Sequence, residues 1–393
     1  MTSFEAFAGY EPLIGPGSRL GKDGQALLIA LREKEREAAA GIPADAPLDP
    51  YRRRRVQLTL EEMRNQPQAI TETLEREADA IRNVAKRLAQ RHLDRVYLIG
   101  CGDSLSSGIA VRPWFESLMG VPCEALQALD YGHYLYHLTE SETALVAISS
   151  SGATPRTVEA LMRARSQGAL TVGISNTRES ALIREAEFGL YVHAERKGWP
   201  TQASTAAMAM LYSLATEIGR ARGMEVQEAR RELGHLPEVV AEALERFGAP
   251  MAQLGAELAD KPVFLFAGAG QSWATAQFGA AKVRECTTAH AVPIHLEEFH
   301  HYNSQKAGDP LFVIAPYGPS LPRALDTVRA GKAWGGTVYV LTAPDQIDDH
   351  LADLVLTLPP VWEAFSPLVY VVPLQLFAYH LAMAQFANAE SPI

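Results

Sequence analysis

Cysteine is scarce in this chain: three in 393 residues, Cys101, Cys123 and Cys286, with no paired or metal-type spacing. That excludes a disulfide scaffold and fits a reducing cytoplasm. Positive charge is also in deficit. Lys and Arg number 36 against 46 Asp and Glu, a net charge of -10. A phosphate backbone needs a basic face, so nucleic acid is not expected as a partner. The one basic run, Arg52–Arg55, reads as a solvated exposed stretch or as a salt-bridge donor to another segment. No basic-then-apolar leader opens the chain, so export is not expected and a cytoplasmic location is. An uninterrupted apolar span is missing too. Pro367 to Ala384 is the most apolar segment, but Pro373, Gln375 and His380 interrupt it, so it reads as a buried core helix and no membrane partner is expected.

What is present is the alternation of short apolar runs with longer amphipathic ones. Val96–Ile99, Ala144–Ile148, Thr171–Ile174 and Phe188–Val192 read as strands, and Pro155–Arg165 reads as a helix between two of them. This is the βαβ rhythm of an α/β fold with a doubly wound parallel sheet. Residues 1–75 read as an extension of helices and irregular segments. Between the strand ending at Ile148 and the helix starting at Pro155 lies Ser149-Ser150-Ser151-Gly152-Ala153-Thr154. Hydroxyls and free backbone N–H groups at the positive end of a helix dipole form an anion cradle, which points to a phosphorylated or otherwise anionic small molecule.

The rhythm then restarts. Gly100-Cys101-Gly102-Asp103-Ser104 recurs as Gly268-Ala269-Gly270-Gln271-Ser272, and His133 and Tyr134 recur as His301 and Tyr302, each 168 residues on. Gly152 matches Gly318, and Thr171-Val172 matches Thr337-Val338, at 166. Two halves with so small a drift indicate tandem domains, 76–232 and 233–393. The repeat fails at the cradle. Ser149-Ser150-Ser151 becomes Ala315-Pro316-Tyr317, with no serine and one N–H fewer, so the anion site is expected in the first half only.

The first glycine turn lacks the third glycine of a dinucleotide fingerprint, because Leu105 stands there; Glu124 is the nearest candidate for a ribose partner. Nucleotide binding and a ligand-free tight turn both stay open for it. In the second half, a helical stretch at Gly279–Glu285 precedes a segment crowded with His290, His295, Glu297, Glu298, His300 and His301. Carboxylate and imidazole together suit proton transfer near neutral pH. A plain surface segment is the bland alternative, and a metal site through Glu297 and His301, four apart, is a third, although no recognised ligand motif fits.

On these motifs the chain resembles the sugar isomerase (SIS) domain family, from about Met63 to His380, and most of all the tandem isomerase half of glucosamine-6-phosphate synthase. The resemblance implies two flavodoxin-like SIS domains, each a parallel sheet flanked by helices, after a mainly helical N-terminal extension. It matches the phosphate motif to Ser149, Ser150, Ser151, Gly152 and Thr154, with Ser104 and its neighbours Gly102 and Asp103 from the first turn. A substrate-loop motif falls on Ser204 and Thr205. The family's catalytic glutamate falls on Glu285, in a Lys-x-x-Glu pattern that adds Lys282, and its histidine falls on His301, which in the synthase reaches into the neighbouring subunit's site.

The departures are specific. Asp103 stands where the synthase has threonine and Ser150 where it has glutamine; counterparts of the synthase's glutaminase domain and tail lysine are not expected. A carboxylate beside an anion site repels phosphate, so Asp103 is expected to bind a sugar hydroxyl or amine. The resemblance thus implies aldose–ketose isomerisation of a sugar phosphate or amino-sugar phosphate through an enediol or enamine, without glutamine hydrolysis. It calls for no metal or organic cofactor, and for a homodimer with shared sites. A fructosamine-6-phosphate deglycase releasing an amine, and a non-catalytic phosphosugar sensor, remain as alternatives.

Overall fold

A computed structural model of the chain describes residues 11–40, 46, 48–302 and 304–391; residues 1–10 of the expected extension lie outside them. Most strands fall where short apolar runs stand between turns. Sheet one contains β1 (Arg95–Gly100), β2 (Cys123–Gln127), β3 (Thr143–Ile148), β4 (Leu170–Ser175) and β5 (Phe188–Tyr191). Sheet two contains β6 (Val263–Gly268), β7 (His290–His295), β8 (Pro310–Ala315), β9 (Thr337–Thr342) and β10 (Leu354–Thr357). Both are entirely parallel, in the orders β2-β1-β3-β4-β5 and β7-β6-β8-β9-β10. This is the flavodoxin-like order, used twice. The sequence offset is structural: β1 and β6 begin 168 residues apart and β5 and β10 begin 166 apart.

Helices fill the layers: α1 (Lys22–Ala40), α2 (Pro50–Arg64), α3 (Gln66–Arg76), α4 (Ala78–Gln90), α5 (Asp103–Met119), α6 (Pro155–Ser166), α7 (Gln202–Ala221), α8 (Gln227–Glu257), α9 (Ser272–Cys286), α10 (Leu296–Tyr302), α11 (Leu321–Ala333) and α12 (Ser366–Glu390). The expected helical extension is thus α1 to α3 among the described residues. It is packed into the fold.

Successive strand side chains alternate between faces, and here each face has its own core. Val96 and Leu98 of β1 join a cluster that also takes Phe264 and Phe266 of β6 and Phe312 of β8, so one core runs through both domains. Tyr97 and Ile99 point the other way, to a smaller core under α1 and α6. Leu311 and Val313 of β8 do the same in the second domain. The helices of the shared layer knit the domains together. Phe365 meets Trp114 and Tyr212 of the first domain edge-on, with centroids 5.4 and 5.1 Å away.

The apolar segment ending at Ala384 lies within α12, which is long and apolar enough to cross a membrane. Its most apolar window is 78 % buried inside the fold, the signature of a core helix. The arginine run is in part the expected salt-bridge donor to another segment, through Arg53, and in part buried or stacked. It lies on α2 with its side chains parted: Arg52 is buried, Arg53 pairs with Glu390, Arg54 is exposed and Arg55 covers the Trp199 ring.

Helices α8 and α12 pack backbone to backbone at Gly255, where an added Cβ would stand 2.7 Å from the Leu381 nitrogen. No rotamer change relieves that contact. Gly255→Ala is expected to cost about 1–3 kcal/mol of stability, read as a lower midpoint of thermal unfolding.

Candidate functional site

Both glycine turns bring a strand end against a helix start. A Cβ on Gly100 would lie 2.8 Å from the Ser104 backbone, and one on Gly268 would lie 2.2 Å from the Ser272 carbonyl. Gly102 and Gly270 then turn the chain with φ of 56° and 57°. In the first domain this aims the start of α5, with Asp103 and Ser104, over the carboxyl ends of the strands, where open α/β sheets bind ligands.

The serine loop arrives beside it from β3. Gly152 has φ of 61° and lies against Ser175 and Ser180, so only glycine fits the bend. Inside the loop, the Ser149 hydroxyl lies 2.9 Å from the Thr154 hydroxyl and accepts the Gly152 N–H at 3.1 Å. Ser150 donates to Asn176 Oδ1 at 3.0 Å. Ser150, Ser151 and Thr154 line a cleft of about 330 Å³, together with Gly102, Asp103, Ser104, Ser204 and Glu285. Four expected site residues do not line it. Ser149 is buried, with its hydroxyl spent within the loop, so it shapes the cradle and does not open to a ligand. Thr205 is buried and donates to the carbonyls of Thr201 and Gln202. The other two are Lys282 and His301.

Lys282 and Glu285 are three apart on α9 and so share a helix face. The Lys282 side chain is 0 % exposed, whereas Glu285 keeps 28 % open toward the cleft. The Lys282 ammonium donates to Glu285 Oε2 at 2.5 Å and to Asp103 Oδ2 at 2.8 Å. Ser204 Oγ donates to the same Asp103 oxygen at 2.9 Å. Asp103 therefore does not stand as a bare charge beside the cradle, although it lines the cleft. Burial pushes the Glu285 carboxyl above its ordinary value; Lys282 pulls it back and Asp103 adds to the rise. Burial alone would lower the Lys282 ammonium, but the two carboxylates outweigh it and hold it well above its ordinary value.

His301 lies on α10 and does not line the cleft of its own chain. It is exposed and 3.3 Å from Glu297, which is itself clamped by Arg323 at 2.8 Å. Among the described residues no group of three or more His, Cys, Asp or Glu is arranged to hold a metal. The second-domain counterpart of the cradle holds a carboxylate of its own chain. Glu363 lies against Gly318 where a Cβ would point, and burial raises its pKa.

Sequence reasoning missed the rim. Glu62 of α2 is buried and accepts the N–H groups of Lys197 and Gly198; Thr59 accepts that of Trp199 at 2.7 Å. Asn176 and Arg196, which line the cleft, lie just beyond β4 and β5, where the strand-end rule could have found them.

Replacing Lys282 by Met leaves two largely buried carboxylates with no cation between them. The variant is expected to lose about 3–5 kcal/mol of stability, measured by denaturant unfolding, with Glu285 titrating at higher pH than in the parent.

The SIS domain model matches residues 88–217 and 257–385. The chain is similar to glutamine–fructose-6-phosphate aminotransferases (isomerizing): 30 % identical over 338 residues to that of Pyrococcus horikoshii and 34 % over 349 residues to that of Thermus thermophilus. Each alignment covers 85 % of this chain but only 56 % and 57 % of the relative, so the chain spans little more than half their length. Among solved structures, the C-terminal domain of the glucosamine-fructose-6-phosphate aminotransferase of Francisella tularensis superposes with a TM-score of 0.77 at 23 % identity, covering 83 % of this chain and 96 % of that one. With two matched segments, one on each parallel sheet, the chain belongs to the SIS domain family as a tandem of two SIS domains.

Proposed function

We propose that the chain isomerises a sugar phosphate between aldose and ketose, with Glu285 as the base that carries a proton between C1 and C2. The observation that carries this reading is that the Glu285 carboxylate opens into the cleft lined by Ser150, Ser151 and Thr154 while a buried ammonium holds it from behind. Cradle hydroxyls and the start of α6 would fix the phosphate, and that binding energy positions the reacting carbons beside the carboxylate. The similar relatives are named for fructose 6-phosphate, which supports a hexose 6-phosphate as ligand. The proposed step is proton transfer alone and needs no glutamine hydrolysis.

His301 is assigned to ring opening or protonation in the neighbouring subunit's cleft, because it is exposed and does not line its own. This makes the functional unit a homodimer.

Glu285→Gln is expected to slow hydrogen exchange at C1 and C2 of a bound hexose phosphate in deuterated water by about 10²–10⁴-fold, with its Kd little changed. Undiminished exchange overturns the base role. A base works ionised and burial raises this one, so kcat/KM should fall on the acid side through a pKa above the usual glutamate value. A pH–rate profile checks it.

A further inference from the structure

A base that takes a proton stops being a counter-ion. Glu285 Oε2 accepts from the Lys282 ammonium at 2.5 Å, while Oε1 makes no hydrogen bond among the described residues and is left for the proton. In the proposed reaction the substrate C–H bond breaks, an O–H bond forms on Glu285, and the electron pair stays on the sugar as an enediolate. Lys282 is 0 % exposed. With Glu285 as its sole partner, the ammonium would then be stranded out of water, and an unpaired buried charge is strongly unfavourable. Such a pair would resist the very proton it is placed to take.

The first domain supplies the remedy. Asp103, at the start of α5, holds a second hydrogen of the same ammonium at 2.8 Å, and Ser204 donates to that Asp103 oxygen at 2.9 Å. Neither bond involves Glu285. We propose that Asp103 is the counter-ion that Lys282 keeps when Glu285 takes the substrate's proton, which makes it a positioning residue for the base. The inference rests on the base role of Glu285. The other groups around the two side chains cannot do this. Arg55 of α2 acts on Glu285 but is itself a cation, spent on the Trp199 ring and the Gly198 carbonyl. Glu62 of α2 acts on Lys282 without bonding it, its own hydrogen bonds going to the N–H groups of Lys197 and Gly198. Cys286, next along α9, is a buried thiol pushed up to about 12 and stays uncharged. The motif does not bring the counter-ion either: the synthase has threonine at this place, and a hydroxyl carries no charge.

Carbon-13 NMR titration of the full chain, labelled at the Asp and Glu carboxyl carbons and assigned from the backbone, tests this. In the parent, Glu285 is expected to take its proton first as the pH falls, with Asp103 still ionised about one pH unit or more below that midpoint. Asp103 protonating before Glu285, or in the same step, overturns the proposal. Asp103→Asn keeps an oxygen for both donors and removes only the charge. Protonating Glu285 then leaves the ammonium unpaired, so proton uptake is disfavoured and the midpoint moves down. The Glu285 midpoint and the acid limb of kcat/KM are both expected to fall by about one pH unit. The weaker base should lower kcat by about 3–10-fold, with the Kd for a hexose 6-phosphate no weaker than the parent's. A Glu285 midpoint that stays or rises overturns the proposal, and lost binding with an unmoved midpoint assigns Asp103 a structural role instead. The base role is read separately: undiminished exchange in Glu285→Gln removes that role and leaves the order of titration as measured.

Discussion

The buried Lys282 ammonium is the contact on which the site depends. It comes from the second domain, is wholly removed from water, and bonds Asp103 of the first domain and Glu285 of its own helix. Removing an ammonium from water costs several kcal/mol, and two carboxylates at hydrogen-bond distance are what offset it. The geometry therefore resists change in both directions. Sliding α9 against α5 would strand three charges at once, so the domains keep the relation in which the carboxylate of one faces the cradle of the other. The same contact answers an electrostatic problem. An acidic residue at the start of α5 would repel an anion in the adjacent loop, and the lysine, with Ser204 behind it, takes up that charge.

The two halves share a sheet order and a glycine turn but have parted at their ligand ends. In the first, the loop after β3 leaves hydroxyls facing a cleft. In the second, the matching loop has lost its serines, and Glu363 from the segment before α12 lies against Gly318. The second domain thus gives its helix α9 to the other domain's cleft and closes its own. Its strands still bury aromatic rings, Phe266 stacked on Phe312 at 4.9 Å, in the core shared with the first domain. Duplication preserved the framework because both halves are needed to bury one core; it did not need to preserve both sites.

The legible parts of the fold were those with a local signal. β1, β3 and β4 are buried on both faces and show as short, mostly apolar runs, and the serine loop announces itself by lying between β3 and α6. Lys282 and Glu285 could be paired from their spacing on a helix. β2 escaped notice because Cys123–Gln127 is an edge strand carrying Glu124 and Gln127, half-buried and short of apolar residues. The bond from Lys282 to Asp103 joins residues 179 apart, and no period in the chain records it. The bracing of the 197–199 segment by α2 was hidden for the same reason. Glu62 and Thr59 look like surface residues of a helix until the loop that they hold is laid over them.

Two carboxylates around one ammonium leave the trio with a single net negative charge, enclosed on the side away from the cleft. In the proposed reaction Glu285 gains a proton as the sugar becomes an enediolate, so the trio becomes neutral at the moment the substrate turns negative. The charge changes hands across a hydrogen-bond length and its total in the pocket stays constant. The site is then asked to move charge and never to create it, which is the least costly task a preorganised electrostatic environment can be set.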